Sequence, residues 1–572
     1  MAPGKRVLLG ILVLTAVLRT VHLVDHLNSG ISEPESVIAD SDMRAFAVWA
    51  ARIADGDLLS ADTYHPYPAW MIDVAPLETF ERWWGGREIF HQTPLYAYLL
   101  AFSYWVTGGK LLLLALQIAA STLAVYLIYR LGSRVADERA GLLAAALAAV
   151  YAPSIVFDTI LVRASLTASL TVVSIWLLLR VRDTGRAGLA FGTGMVLGAG
   201  YLMRPVGLAL LMGPLVLLLD PKARPAWRRW LPSLAAGVAI AFAPFAARNV
   251  IVGAPALTFS NRGPEAMIQG NHSGADPAFM TLPSGPDYRQ LMEDGGGSVP
   301  RTLLAAIRTW PEDGRLRWWT WHEARKLLAV FRDHEYANNV NFYFNRRATP
   351  LLAFLPTFGM ICGLGLVGTV LLVRRGRDRT AGLLLGLAAG GLVGIMLLAL
   401  AVGRYRLPLA MLATIPAGVT LSALSGWLAA KRWTAALTCS AAVVALSTVS
   451  FWAVPTRVLF DPNQQPFFMR GADARLYEDL SALRALEFTE EARLLSERGE
   501  TDAARSLYTG YLAEVHRTIA SAPPVEDMTV RRRILNQSYL HLLWARGVFA
   551  GTPLDDLAQS LDSELEWIRT TQ

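Results

Sequence analysis

Long, nearly uncharged apolar runs constrain this chain more than any other feature. Segments such as 111–131, 141–156 and 381–402 reach or approach the roughly 20 residues that a helix needs to cross the hydrocarbon of a bilayer. Inside that layer the backbone must satisfy its own polar groups, and a helix does so within one segment. The composition agrees: 53% of the 572 residues are hydrophobic and 17% are charged, whereas a soluble domain carries about 25% charge. The fold class expected is an all-α polytopic membrane protein.

The basic residues give a path through the membrane. They cluster at Lys5-Arg6, 130–139, 180–186, 222–229, 374–379 and Lys431-Arg432. Placing every cluster in the cytoplasm obeys the positive-inside bias and predicts eleven crossings. They run near 7–24, 110–130, 140–157, 160–180, 188–203, 205–220, 230–248, 350–373, 380–402, 407–425 and 433–452. Residues 93–106, with Tyr96, Tyr98, Tyr104 and Trp105, are read as an interfacial or re-entrant helix, because such aromatics favour the headgroup level. Arg19, His22 and Asp25 follow the first apolar run without a small-residue cleavage site, so that run is read as an uncleaved anchor. The expected organisation is a transmembrane unit over 1–452, with external loops at about 25–92 and 250–347, and an external helical tail over 453–572. The tail pattern Glu490-Glu491-Ala492-Arg493-Leu494-Leu495, Gly499, Ala503-Ala504 and Leu507-Tyr508 has the form of one helix-turn-helix repeat of tetratricopeptide type. A net charge of +7 is spent on these inter-span clusters, so no nucleic acid is expected as a partner. Cys362 and Cys439 both fall in expected spans and do not suggest a disulfide framework or a thiol-bound metal.

Two short stretches carry candidate chemistry. Ala39-Asp40-Ser41-Asp42-Met43-Arg44-Ala45-Phe46 puts carboxylates just outside the first span, and Gly403-Arg404-Tyr405-Arg406-Leu407-Pro408-Leu409 puts two guanidinium groups at a membrane edge. Charge there is costly unless it has a partner or a function. Asp42, with Asp40 as second choice, is the candidate general base at the start of a short helix patterned on Phe46, Trp49, Ala50 and Ile53; the competing reading is a helix N-cap. Arg404, Arg406 and Arg204 are candidate phosphate ligands, since arginine binds phosphate bidentately and keeps its charge. Arg163 is read either with them or as an ion-pair partner of Asp158. His91, Tyr405, Arg248, Asn261 and Asn271 are candidate substrate-lining residues, against competing readings that are preferred for His91, a place at the membrane interface, and for the Asn-Gly clusters, turns. Phosphate-binding loops, His-Glu-x-x-His and Gly-x-Ser-x-Gly motifs are missing from the sequence, which disfavours nucleotide-dependent, zinc-peptidase and serine-hydrolase chemistry.

In order along the chain, the Asp42 stretch, Thr93-Pro94-Leu95-Tyr96, Tyr201-Leu202-Met203-Arg204-Pro205, Arg248-Asn249, Asn261-Arg262-Gly263, Gly270-Asn271 and Arg404-Tyr405-Arg406-Leu407-Pro408 resemble bacterial relatives of the dolichyl-phosphate-mannose protein mannosyltransferases. Those belong to the GT-C membrane glycosyltransferases, together with the lipid A aminoarabinose transferases. The resemblance covers about residues 5–450. It implies a GT-C fold and an inverting transfer from a polyprenyl-phosphate sugar to a hydroxyl of a protein, lipid or glycan, in an external site at the inner (plasma) membrane. The family's acidic first-loop residue maps to Asp42. Where relatives often show Asp-Glu this chain has Asp42-Met43, and where many have Pro-Pro it has Thr93-Pro94. No cofactor and no metal are expected. Two other classes remain open at this point: a lipid-linked-sugar flippase, which predicts inverted repeats and mid-membrane charge, and a non-catalytic envelope interaction protein presenting its tail.

Overall fold

The structure, a computed structural model, describes residues 3–28, 41–65, 67, 71, 74–278, 282–336, 338–340, 342–452, 485, 488–489, 491–520 and 528–571. Asp40 and the stretch 453–484 lie outside the described residues. What is described is helical throughout, with one isolated β-bridge, Asn338 to Val340. Seven helices are long and apolar enough to cross a membrane: Gly4–Leu27, Leu111–Val135, Ala164–Thr184, Arg224–Ile251, Arg379–Leu398, Gly403–Ala429 and Trp433–Phe451. The chain is a multi-pass membrane protein. Glu138–Ala149 and Ala152–Asp158 make an eighth span if their 56° bend is counted as one crossing. The bend sits where Pro153 opens the second helix, a position at which its missing N–H does no harm.

All eleven expected spans fall on apolar helix, yet length and composition support seven or eight of them. Ala187–Met203, Leu208–Leu219 and Phe358–Arg374 are shorter apolar helices, and the middle one is interrupted between Leu211 and Gly213. Leu95–Thr107, expected at the interface, is also a short apolar helix.

Close helix contact follows from small residues, the usual device where lipid removes any hydrophobic drive between spans. Gly194 and Gly237 face one another's helices so closely that a Cβ on either would stand 2.0 Å from a carbonyl oxygen, that of Leu234 or Phe191. A buried ion pair adds specificity: Arg19 Nε donates to Asp158 at 2.6 Å, with both side chains 1% exposed or less. Nε also reaches Ser121, while the Nη groups donate to Ser154 and to the carbonyls of Thr15 and Ala149. Arg19 therefore belongs to the bundle, and Asp158 is given to it rather than to Arg163.

The two ends of the bundle differ. At one, Arg134 pairs with Asp183 and Asp378, and Arg182 with Asp220 and Asp378, so three of the basic inter-span segments meet in one ionic cluster. At the other, the first and second loops pack into a common layer: Met71, Phe80 and Trp84 share a core with Ile268, Tyr288, Leu291 and Met292. The helices Thr501–Ala520, Met528–Phe549 and Asp555–Thr571 bury a core of their own around Tyr508, Leu542, Phe549 and Leu561. Ahead of them the chain turns at Gly499 with φ 84°.

Candidate functional site

The site begins at the helix Asp42–Ala54. Ser41, not an aspartate, caps it, its hydroxyl accepting from the Arg44 N–H at 3.2 Å. Asp42 is thus free to point elsewhere. Phe46, Trp49, Ala50 and Ile53 bury the inner face, and the Phe46 ring meets Tyr96 edge-on at 5.0 Å between centroids. This packing carries the Asp42 carboxylate, 7% exposed, into a ring of cations.

Arg404 ion-pairs with one carboxylate oxygen, Arg262 lies 3.6 Å from the other, and Gln92 Nε2 donates to that same oxygen at 3.1 Å. Arg163 donates to the Gln92 side-chain carbonyl and, at 3.0 Å, to Thr93 Oγ1, with its guanidinium over the Phe46 ring. Arg204 stacks 4.1 Å above the Tyr405 ring, and Arg404 lies 5.3 Å from it. Burial would raise the Asp42 carboxyl, but Arg404, Arg262 and Arg163 outweigh it and hold the group well below the usual carboxylate range. Burial lowers Arg262 while Asp42 and Glu265 more than restore it. Arg204 is 7% exposed, and its Nη1, like Arg404 Nε, is buried with no hydrogen-bond partner among the described residues. Buried guanidinium groups ordinarily have their donors satisfied. Arg204 and Arg404 therefore carry donor capacity that no described residue meets.

Arg404 is set by the turn before it. Helix Arg379–Leu398 ends with carbonyls that have no intrahelical donor; Leu397 accepts from Lys326 Nζ at 2.5 Å and Leu398 from Asn271 Nδ2 at 2.8 Å. A Cβ on Gly270 would stand 2.0 Å from the Ala399 carbonyl oxygen. Gly403 N–H then donates to the Tyr336 carbonyl at 3.0 Å, and helix Gly403–Ala429 begins.

Of the residues singled out in the sequence, Asp42, Arg404, Arg204, Arg163 and Tyr405 come together. Arg406 does not. Two helical residues apart from Arg404, it projects about 200° away, pairing with buried Glu335 at 2.7 Å and donating to the carbonyls of Asp333 and His334. Arg248 clips the first loop, donating to the carbonyls of Leu59, Ser60 and Glu88. Asn271 is spent on Met267, Leu398 and Lys326. His91 and Asn261 bond to each other at 3.0 Å and lie beside the cluster. Gln92 and Arg262 also reach Asp42; Arg262 lies within the Asn261-Arg262-Gly263 motif and Gln92 adjoins His91. Among the described residues no group of three or more His, Cys, Asp or Glu side chains is placed to hold a metal ion.

Residues 91–247 match the family model described as dolichyl-phosphate-mannose-protein mannosyltransferase, the family that the order of motifs resembles. The matched stretch holds His91, Gln92, Arg163 and Arg204, while Asp42, Arg262 and Arg404 lie outside it. No curated protein gives a significant match. Similar solved structures include the oligosaccharyltransferase AglB of Archaeoglobus fulgidus in complex with an inhibitory peptide and a dolichol-phosphate, at 15% identity and TM-score 0.42, over 87% of this chain and 58% of that one. ArnT of Cupriavidus metallidurans is similar in its undecaprenyl-phosphate complex (16%, TM-score 0.34, 88% of this chain and 78% of that) and in its apo state (15%, 0.39, 92% and 76%). The chain therefore spans less than three fifths of the AglB chain it matches.

Proposed function

We propose that the protein is an inverting glycosyltransferase that moves a sugar from a polyprenyl-phosphate donor to an acceptor hydroxyl, at the end of the bundle where the two loops pack, which is the external face of the inner membrane. The observation that carries this reading is the convergence of Asp42 with Arg163, Arg204, Arg262 and Arg404, in which Arg204 keeps a buried donor without a partner. A sugar phosphodiester gains negative charge on its phosphate as the anomeric C–O bond breaks. Fixed cations aimed at that charge stabilise the transition state more than the ground state. Arg204, Arg163 and Arg404 supply them.

In the ligand-free site Asp42 neutralises Arg404. The donor phosphate competes for that guanidinium and releases the carboxylate toward the acceptor. The acceptor oxygen attacks the anomeric carbon from the face opposite the phosphate, its proton passes to Asp42, and the bonding pair leaves with the phosphate oxygen. Arg406 has no part in this, being held by Glu335. The family match over 91–247 supports the same class of reaction.

A lipid-linked-sugar flippase would need its cations along a path through the bilayer, whereas these gather at one end. The discriminating experiment places purified protein in liposomes with labelled polyprenyl-phosphate mannose and related donors, and a membrane extract as acceptor source. Loss of label from the lipid with wild type and not with Asp42→Asn supports transfer. Labelled lipid that crosses the bilayer unchanged would replace it with transport.

A further inference from the structure

Beside Asp42 runs a chain of hydrogen bonds whose direction is fixed at both of its carbonyl ends. His65 Nδ1 lies 3.0 Å from the Thr63 carbonyl oxygen. A carbonyl only accepts, so Nδ1 of His65 carries the proton and its Nε2 is a bare lone pair. Asn261 Nδ2 is 3.2 Å from that Nε2 and 3.1 Å from the Trp84 carbonyl oxygen. Both are acceptors, so the Asn261 amide nitrogen faces them and its oxygen faces the other way, toward His91 Nδ1 at 3.0 Å. That oxygen can only accept. His91 Nδ1 therefore donates, and His91 Nε2 is left as a lone pair with no partner among the described residues.

His91 is 1% exposed and its backbone neighbour Gln92 is bonded to Asp42. The titratable groups that face it are Arg262, His65 and Asp42; burial first, then Arg262 and His65, keep the imidazole neutral. Arg262 itself is 32% exposed through its side chain, so that side of the cluster reaches solvent. The pair thus offers one N–H donor and one lone pair. A hydroxyl accepts from the first and donates to the second through a single oxygen.

We propose that His91, held in one tautomer by Asn261, binds a hydroxyl of the acceptor next to the one that attacks, so that the acceptor is a glycan bearing neighbouring hydroxyl groups. Asp42 takes the proton of the attacking hydroxyl, while His91 Nε2 and Arg262 grip its neighbour. The proposal rests on the glycosyltransferase reading above and adds the acceptor class.

The test uses the full-length protein in liposomes with labelled polyprenyl-phosphate mannose and related donors. Acceptor extract is supplied untreated, periodate-oxidised or protease-digested. Transfer that survives protease and disappears after periodate, which cleaves vicinal diols, is expected; the reverse overturns the glycan assignment. His91→Asn keeps the donor to Asn261 and removes the Nε2 position. It should raise half-saturation by extract at least tenfold while binding of undecaprenyl phosphate stays within twofold. His91→Gln, which sets a carbonyl near the lost nitrogen, should recover most of the difference. Unchanged half-saturation in His91→Asn, or a parallel loss of lipid-phosphate binding, or no recovery in His91→Gln, overturns the role of His91 alone. A wild type that releases no label from any donor defeats the underlying reading, and the acceptor assignment with it.

Discussion

Replacing Arg204 with methionine should make the ligand-free protein more stable and the enzyme worse. The guanidinium is buried, is close to other cations, and leaves Nη1 unpartnered. Desolvating an ion costs several kcal/mol in effect, and an unsatisfied buried donor adds about 1–3 kcal/mol. The stack on Tyr405, 4.1 Å above the ring, returns about 2 kcal/mol. Methionine fills much of the same space without charge, so a net gain of about 1–3 kcal/mol is expected once these effects are set against one another. The opposite holds with donor bound, because a charge-assisted hydrogen bond contributes about 1.5–3 kcal/mol, or roughly 10- to 150-fold in kcat/KM. Cys362 and Cys439 are buried, so a thiol-reactive fluorophore reports unfolding in detergent without labelling the folded protein. A higher midpoint together with the activity loss is expected of Arg204→Met. A lower midpoint with unchanged turnover would refute the claim that the site holds an unmet positive charge.

Other consequences follow from the same contacts. Arg406→Gln leaves Glu335 as a buried, unpaired carboxylate and should destabilise by about 3–5 kcal/mol; Arg406→Gln combined with Glu335→Gln should recover part of this in the same thermal assay. Gly270→Ala forces a Cβ toward the Ala399 carbonyl and should lower turnover by displacing the turn ahead of Arg404, measured against undiminished expression of folded protein. The pH dependence has a definite sign. Asp42 has its carboxyl pushed down in the folded protein, so its ion pairs contribute fully above the ordinary aspartate value of about 4 and are lost as pH falls through the lower folded value. The stability difference between wild type and Asp42→Asn should therefore be flat from about pH 5 to 8 and shrink below about pH 4; a difference that fades near neutrality would contradict the ion pairing.

Much of the scaffold was legible because hydrophobic length and basic clustering are local signals. Each expected span lies on an apolar helix, and the clusters at 130–139, 180–186 and 374–379 contribute Arg134, Arg182 and Asp378 to one end of the bundle. Asp42 stood out because a carboxylate beside a membrane anchor is unusual, and the structure removes its competing role by giving the cap to Ser41. Partner choice was another matter. Arg19 and Asp158 are 139 positions apart, and nothing near either residue announces the other, whereas Arg163 offered a nearby and wrong partner for Asp158. Helical periodicity puts Arg404 and Arg406, two residues apart, on opposite faces, so Arg404 reaches Asp42 while Arg406 pairs with Glu335. The contacts of Arg262 and Gln92 with Asp42 depend on two loops meeting, which no local pattern encodes.

The measurement that bears most directly on the central claim is a cryo-EM reconstruction of the protein in nanodiscs with a polyprenyl phosphate bound. The phosphate is expected within hydrogen-bond distance of Arg204 and Arg163, with Arg404 turned from Asp42 toward it. Phosphate density at the opposite end, among Arg134 and Arg182, or an Asp42–Arg404 pair undisturbed by a lipid bound elsewhere, would contradict the account.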